Sequence, residues 1–400
     1  MNLLALALAL TGFGWLSLKK PMLGLGAILL LLPTYLIRLR IFDVPTTVLE
    51  LLLVVFLFSV FTSRYKHLQR IENLGMLNWA IGTFVTAGII STLFSPEPFK
   101  ALGLLKAFVM EPVLFFYAVI LLIEKPKELE PAFRMLFTGA TLISAFGIFQ
   151  YFTGMFLPLR FWGTGEEVKR ITSVFEYPNA LALYLAPLFV FFAVLFIKRH
   201  PFLNRSILGW GFALQGAAIL LTFSRGAWFA VATVLFFLLL ERYSAKKILL
   251  LLGAAILAVA LISPIRQRVL ITSHDPSGFA RLDLINAAVT KLTQNPILGN
   301  GLYGFRTTLA QQNFSGEILN YPHNIILNFW VELGLLGLVS FAAIIYISLK
   351  TYKKKHSLIG LAAVCFVVTV VLHGVIDVPY FKNDLSILFW FIISLLHIKS

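Results

Sequence analysis

The chain of 400 residues is 59% hydrophobic and only 13% charged, with a mean hydropathy of +0.89. No water-soluble domain keeps that balance, so the bilayer is its solvent. A net charge of +15 without any aromatic-interleaved basic stretch excludes nucleic acid as the expected partner, and a single cysteine, Cys365, excludes an intrachain disulfide.

Apolar segments run at 3–18, 22–37, 45–62, 77–94, 101–123, 132–153, 179–197, 206–223, 225–240, 248–263, 324–349, 357–376 and 385–397. A spanning helix takes about 20 apolar residues. Unpaired amides in hydrocarbon cost several kcal/mol each, so these runs are helices and not barrel strands. The expectation is an all-α polytopic membrane protein of about 12–13 transmembrane helices, one integral membrane domain over residues 1–400. Lys19 and Lys20 follow the first run instead of preceding it, which reads as a retained span and not a cleaved leader. The first two runs are short enough to form a tight hairpin.

Alternate loops carry Lys19/Lys20, Arg64/Lys66/Arg70, Lys125/Lys127, Lys198/Arg199/Arg205, Arg242/Lys246/Lys247 and Lys350 with Lys353 to Lys355. By the positive-inside rule these are cytoplasmic. The long loops 154–178 and 264–323 then face outward, and the larger of them is expected to contain short helices. Lysine prevails on the inner side. The outer set is rich in arginine, including Arg38, Arg40, Arg160, Arg170, Arg225, Arg281 and Arg306. The planar guanidinium fork suits phosphate or carboxylate, so an outward-facing anion site is expected; the alternative is that these side chains reach lipid headgroups or local acids.

Four stretches carry the candidate chemistry. Ser224-Arg225-Gly226-Ala227 places an arginine between two apolar runs with almost no loop, which is costly unless the residue lines a wet cavity or meets an anion; the other reading is a structural helix corner. Arg281-Leu282-Asp283 opens a stretch with apolar residues at 282, 285, 289 and 292, a helical spacing suited to the membrane surface, which Asn295-Pro296 stops before Gly299, Gly301 and Gly304. Arg281 there is either a ligand clamp or a partner of Asp283. Tyr321-Pro322-His323-Asn324 leads into a span where Asn324, Asn328 and Glu332 share one helix face, a polar stripe that must face protein or water. His323 sits at its mouth, either as a base or as an interfacial polar residue. Finally, His373 and Asp377 stand four apart at the end of a late span. No P-loop, no glycosidase-type carboxylate pair and no clustered metal-ligand signature is present in the sequence.

In this order, Phe175-Glu176-Tyr177-Pro178-Asn179-Ala180, Ser224-Arg225-Gly226, Arg281-Leu282-Asp283, Asn295-Pro296-Ile297-Leu298-Gly299-Asn300-Gly301, His323-Asn324 and Glu332-Leu333-Gly334-Leu335-Leu336-Gly337 resemble the O-antigen ligase family of bacterial membrane glycosyltransferases. The resemblance covers a core of about residues 170–377. It implies a C-type glycosyltransferase-like fold in the bacterial cytoplasmic (inner) membrane, with the site on the periplasmic side. It further implies metal-independent, inverting transfer of a glycan from undecaprenyl pyrophosphate to an acceptor hydroxyl, a glycan or lipid A-core, without a cofactor. Arg225 and Arg281 match the family's pyrophosphate arginines and His323 its presumed base. Asn324, Asp377, Arg170 and Asn179 are carried over as substrate-binding. Alternatives are a protein O-oligosaccharyltransferase, differing in acceptor, and a transporter or flippase of a lipid-linked anionic glycan.

Overall fold

The computed structural model describes residues 3–41, 44–163, 168–202, 204–241, 276–311 and 320–398, with scattered positions between 243 and 266. Every expected apolar segment but 248–263, which lies largely outside the described residues, contains an α-helix over most or part of its length. The protein is an all-α polytopic membrane protein. Six described helical stretches are long and apolar enough to cross a membrane, and shorter apolar helices of 10–17 residues accompany them. The chain divides into two compact units.

The first unit comprises residues 1–139, 280–364 and 374–400. It opens with α1 (Leu3–Lys19) and α2 (Pro21–Leu30), a close pair as expected. The second expected run ends early because Pro33 lacks the N–H that would continue the helix. The chain tightens into a 3-10 turn, Leu32–Leu36, and then forms an unforeseen hairpin of β1 (Arg38–Ile41) and β2 (Val44–Thr47). Its register pairs Arg38 with Thr47 and Arg40 with Pro45, and a two-stranded edge tolerates that proline. Thr47 caps α3 (Val48–Arg64) in a capping box with Glu50. Then come α4 (Met76–Leu93) and a span that is not one regular helix: α5 (Pro98–Leu105), a π turn at Lys106–Met110, and α6 (Glu111–Leu122). Pro112 supplies the reason, since it cannot donate to the carbonyl of Phe108 four residues back.

The first part of α7 (Glu130–Thr153) completes the amino-terminal portion of this unit. Most of α11 (Pro276–Gln294), α12 (Gly304–Gln311), α13 (Ile325–Lys355), the start of α14 (Leu358–Gly374) and α15 (Asn383–Leu395) follow, the labels α8 to α10 falling in the second unit. Helix α11 buries Leu284, Ala288 and Leu292 against Phe305, Leu309 and Val331, while Leu282 and Val289, on the face expected to suit the membrane surface, stay exposed. Between lipid tails no hydrophobic force drives helices together, so close packing and internal hydrogen bonds hold this unit. Its centre is aromatic: Phe329 stacks on Phe341 at 3.9 Å between ring centroids, and Tyr380 meets both, at 5.0 and 5.4 Å.

The second unit, 140–279 with 365–373, is built on α8 (Pro178–Ile197), which is buried along nearly its whole length. Helices α9 (Arg205–Leu221) and α10 (Arg225–Leu240) pack against it.

Two interactions generate tests. Helix α13 is broken at Gly334, whose φ is +69°, and the segment 295–303 fills the break: Leu335 N–H donates to Ile297 O (2.9 Å) and Asn300 N–H to Val331 O (2.6 Å). A Cβ on Gly334 would stand 2.6 Å from Ile297 O and 2.9 Å from Leu298 O. Gly334→Ala is therefore expected to destabilise the detergent-solubilised protein by about 2 kcal/mol or more, read as a lower thermal midpoint. Separately, Glu124 is held by Arg70 at 2.8 Å, with Arg64 and His67 further out, and its carboxyl lies below the ordinary value of 4.5, chiefly through the Arg70 hydrogen bond. A depressed acid contributes stability fully present above its ordinary value and lost as pH falls through the depressed one. The stability difference between wild type and Glu124→Gln is expected to be constant around neutrality and to vanish only in acid below pH 4.5.

Candidate functional site

In the first unit the break in α13 organises the polar stripe. Asn328 and Glu332 are buried, as a membrane helix requires, and Asn324 caps the helix through Leu327 N–H at 3.0 Å. Glu332 does more than pack. Its carboxylate accepts from the backbone N–H of Tyr303 (2.5 Å) and Phe305 (3.3 Å), at the amino terminus of α12, where unpaired amides and the helix dipole favour an anion. Ser91 donates to Glu332 O and Ser95 to Leu302 O (2.6 Å), so α4, the 295–303 segment and α13 are stitched together. Gly301, at φ +78°, lies so close to α4 that a Cβ would fall 2.7 Å from Ser95 Cα. The Asn295 to Gly301 and Glu332 to Gly337 stretches are thus the two halves of one interlock that carries the helices of the large loop.

His323 stands directly before this stripe in a left-handed conformation, φ +50°, which non-glycine residues rarely adopt and which clusters at functional positions. Its Nδ1 lies 3.2 Å from Asp377 Oδ1, and that carboxylate also accepts from Val378 N–H at 2.9 Å. Asn324 donates to Val375 O (3.0 Å) and Tyr321 Oη to Phe381 O (2.7 Å), so three residues of Tyr321-Pro322-His323-Asn324 grip the 375–381 segment. Helix α14 ends at Gly374, and Asp377, beyond it, turns to His323. Arg281 is half-buried in the second turn of α11.

In the second unit, Arg225 occupies the first position of α10, two residues after Phe223 in the left-handed region at φ +49°. The carbonyls that end α9 are satisfied by the loop before α8: Ile171 N–H donates to Leu221 O (3.1 Å) and Arg170 Nε to Thr222 O (2.8 Å). Arg170 then reaches Asn179 Oδ1 with its other fork at 2.8 Å. Arg170 and Asn179, expected to bind substrate, brace the corner that presents Arg225. Such bidentate bracing needs the planar guanidinium. At Arg225 a guanidinium stands at a helix amino terminus, a combination suited to phosphate. Among the described residues no group of His, Cys, Asp and Glu is arranged to hold a metal ion.

The sequence model of the family described as O-antigen ligase matches residues 210–342, which hold Arg225, Arg281, His323 and Asn324. Over this region, a third of its length, the chain is similar to the O-antigen ligase family. It is 30% identical over 242 residues to an O-antigen ligase of Pseudomonas aeruginosa, covering 60% of this chain and 56% of that protein. It is also 35% identical over 86 residues to a Rickettsia felis protein described as a candidate polysaccharide ligase, across 19% of this chain and 20% of that one. The chain thus spans little more than half of the first relative and a fifth of the second.

Glu50, Lys106 and Glu111 form an ionisable group that the sequence reading passed over. The signal was present, since Lys106 and Glu111 interrupt the apolar run 101–123. For the corner, Arg170→Lys removes the fork and is expected to speed hydrogen–deuterium exchange of the amides at 222–228 while leaving α8 protected; unchanged exchange there would show that Arg170 does not brace the turn.

Proposed function

We propose that the chain is a membrane glycosyltransferase of the O-antigen ligase or polysaccharide polymerase type, in the bacterial cytoplasmic membrane with its site at the outer face. The observation that carries this reading is the contact at 3.2 Å between Asp377 and His323, the histidine lying within the region the family model matches. The donor is a glycan on undecaprenyl pyrophosphate and the acceptor is a hydroxyl of a glycan or of lipid A-core. Asp377 takes the Nδ1 proton of His323 in a hydrogen bond, which leaves Nε2 to accept the proton of the attacking hydroxyl. The acceptor oxygen bonds to the anomeric carbon from the face opposite the pyrophosphate. The carbon–oxygen bond to the phosphate breaks, and its electron pair leaves with the lipid pyrophosphate, inverting the centre. Arg225, with the amino terminus of α10, and Arg281 stabilise the charge on that leaving group without a metal ion. Asn324 shapes the acceptor side. Arg170 and Asn179 act by holding the Arg225 corner.

With purified protein in EDTA, His323→Ala and Arg225→Ala are each expected to lower glycan transfer from a lipid-pyrophosphate donor by about 100-fold or more. Asp377→Asn should retain more activity than His323→Ala. Full transfer by both alanine variants would remove the assignment. Donor crossing into liposomes with no glycosidic bond formed would point to transport instead.

A further inference from the structure

The span 98–122 carries Lys106 and Glu111 within its apolar part, beyond Lys100 at its start, and α3 opens with a buried Glu50. Ionisable side chains within membrane helices are costly and persist where they are paired and used. The Glu50 carboxylate is saturated. Oε2 accepts from Lys106 Nζ (2.7 Å), Thr46 Oγ1 (2.8 Å) and Thr47 N–H (3.2 Å), and Oε1 from Asn383 Nδ2 (3.0 Å). Glu111 lies within electrostatic range of both Glu50 and Lys106. A carboxylate with this many donors has no acceptor capacity left for a ligand, and a buried pair adds little net stability because desolvation offsets its attraction. What the pair fixes is geometry.

The geometry concerns the segment between α14 and α15. On one side it is gripped by Asn324, His323 and Tyr321, as described above. On the other it is anchored to the π turn: Tyr380 Oη donates to Phe108 O (2.8 Å), the carbonyl that Pro112 leaves without its helical donor, and Ser386 Oγ to Ala107 O (3.4 Å). Asn383 ties the same end to Glu50, and Trp390 Nε1 donates to Tyr380 Oη at 2.9 Å. Asp377 lies between the two sets of anchors, so its approach to His323 depends on both.

We propose that Glu50 and Lys106 are positioning residues for His323: they hold Asn383, and through residues 377–383 they hold Asp377 at the imidazole Nδ1. The inference rests on the reading of His323 as the base. No proton or bond passes through the pair. Its partners reach the histidine only by fixing the backbone that carries Asp377.

The test is a kinetic cycle on the full chain in lipid nanodiscs, with an undecaprenyl-pyrophosphate glycan as donor. Glu50→Gln and Lys106→Met are made alone and in combination with Asp377→Asn, with His323→Ala as reference. Each single variant is expected to lower kcat by about 10-fold or more, with donor KM shifted by no more than about twofold. Once Asp377→Asn is present, the further loss from either should nearly disappear, because both act through one contact. Losses that multiply with that of Asp377→Asn, or an undiminished kcat in a folded Glu50→Gln protein, overturn the proposal. If Glu50→Gln does not fold, Asn383→Ala carries the same cycle, since it removes the link from Glu50 to residues 377–383 and leaves the bonds of Glu50 to Lys106, Thr46 and Thr47 in place, and an undiminished kcat in that variant overturns the proposal. Wild-type turnover by His323→Ala would instead overturn the base assignment and this inference with it, an outcome distinct from multiplied losses.

Discussion

In hydrocarbon a backbone amide or carbonyl has no water to turn to, so a helix can break only where something else supplies the lost partner. Much of what is distinctive in this protein follows from three such breaks. At Gly334 the opened turn of α13 is filled by the backbone of 295–303. Around Pro112 the freed carbonyls of the π turn receive Tyr380 and Ser386. At Phe223 the ends of α9 are met by Ile171 and Arg170.

Each of these repairs delivers a polar residue to a defined place. The Gly334 interlock lets Glu332 cap α12 and so fixes the start of a loop helix from inside a membrane span. The Phe223 turn puts Arg225 at the head of α10 with its supporting fork behind it. The π turn anchors the segment that brings Asp377 to His323. Rigid mounting of this kind is what a site needs if charge is to be stabilised without rearrangement as it develops. The proposed division of labour, guanidinium groups for the leaving pyrophosphate and a carboxylate-oriented imidazole for the hydroxyl proton, uses these mounted residues.

The structure gives several residues partners that the sequence reading did not name. Arg170 and Asn179 were expected to touch substrate and are found bonded to each other and to the corner before Arg225. Asp377 was expected to bind substrate and lies 3.2 Å from His323 Nδ1, three residues beyond the end of α14 at Gly374. The sequence reading named an apolar face of α11 for the membrane surface but not the stripe Leu284, Ala288 and Leu292 that packs within the protein, since which positions face α12 and α13 depends on where those helices lie.

The sequence by itself determined the solvent, the helical class and the approximate extent of the described spans, because hydropathy over a span is a sum of local transfer energies and needs no knowledge of neighbours. It also marked Arg225, His323 and the glycine-rich stretches, since a charge or a breaker inside an apolar run is visible locally. Only the tertiary structure decided which polar groups meet. The partners of His323, Glu332 and Glu50 lie 54, 29 and 333 residues away in the chain. A hydrogen bond between residues so far apart is set by how helices pack, and side-chain periodicity within one helix carries no information about which residue of another will face it.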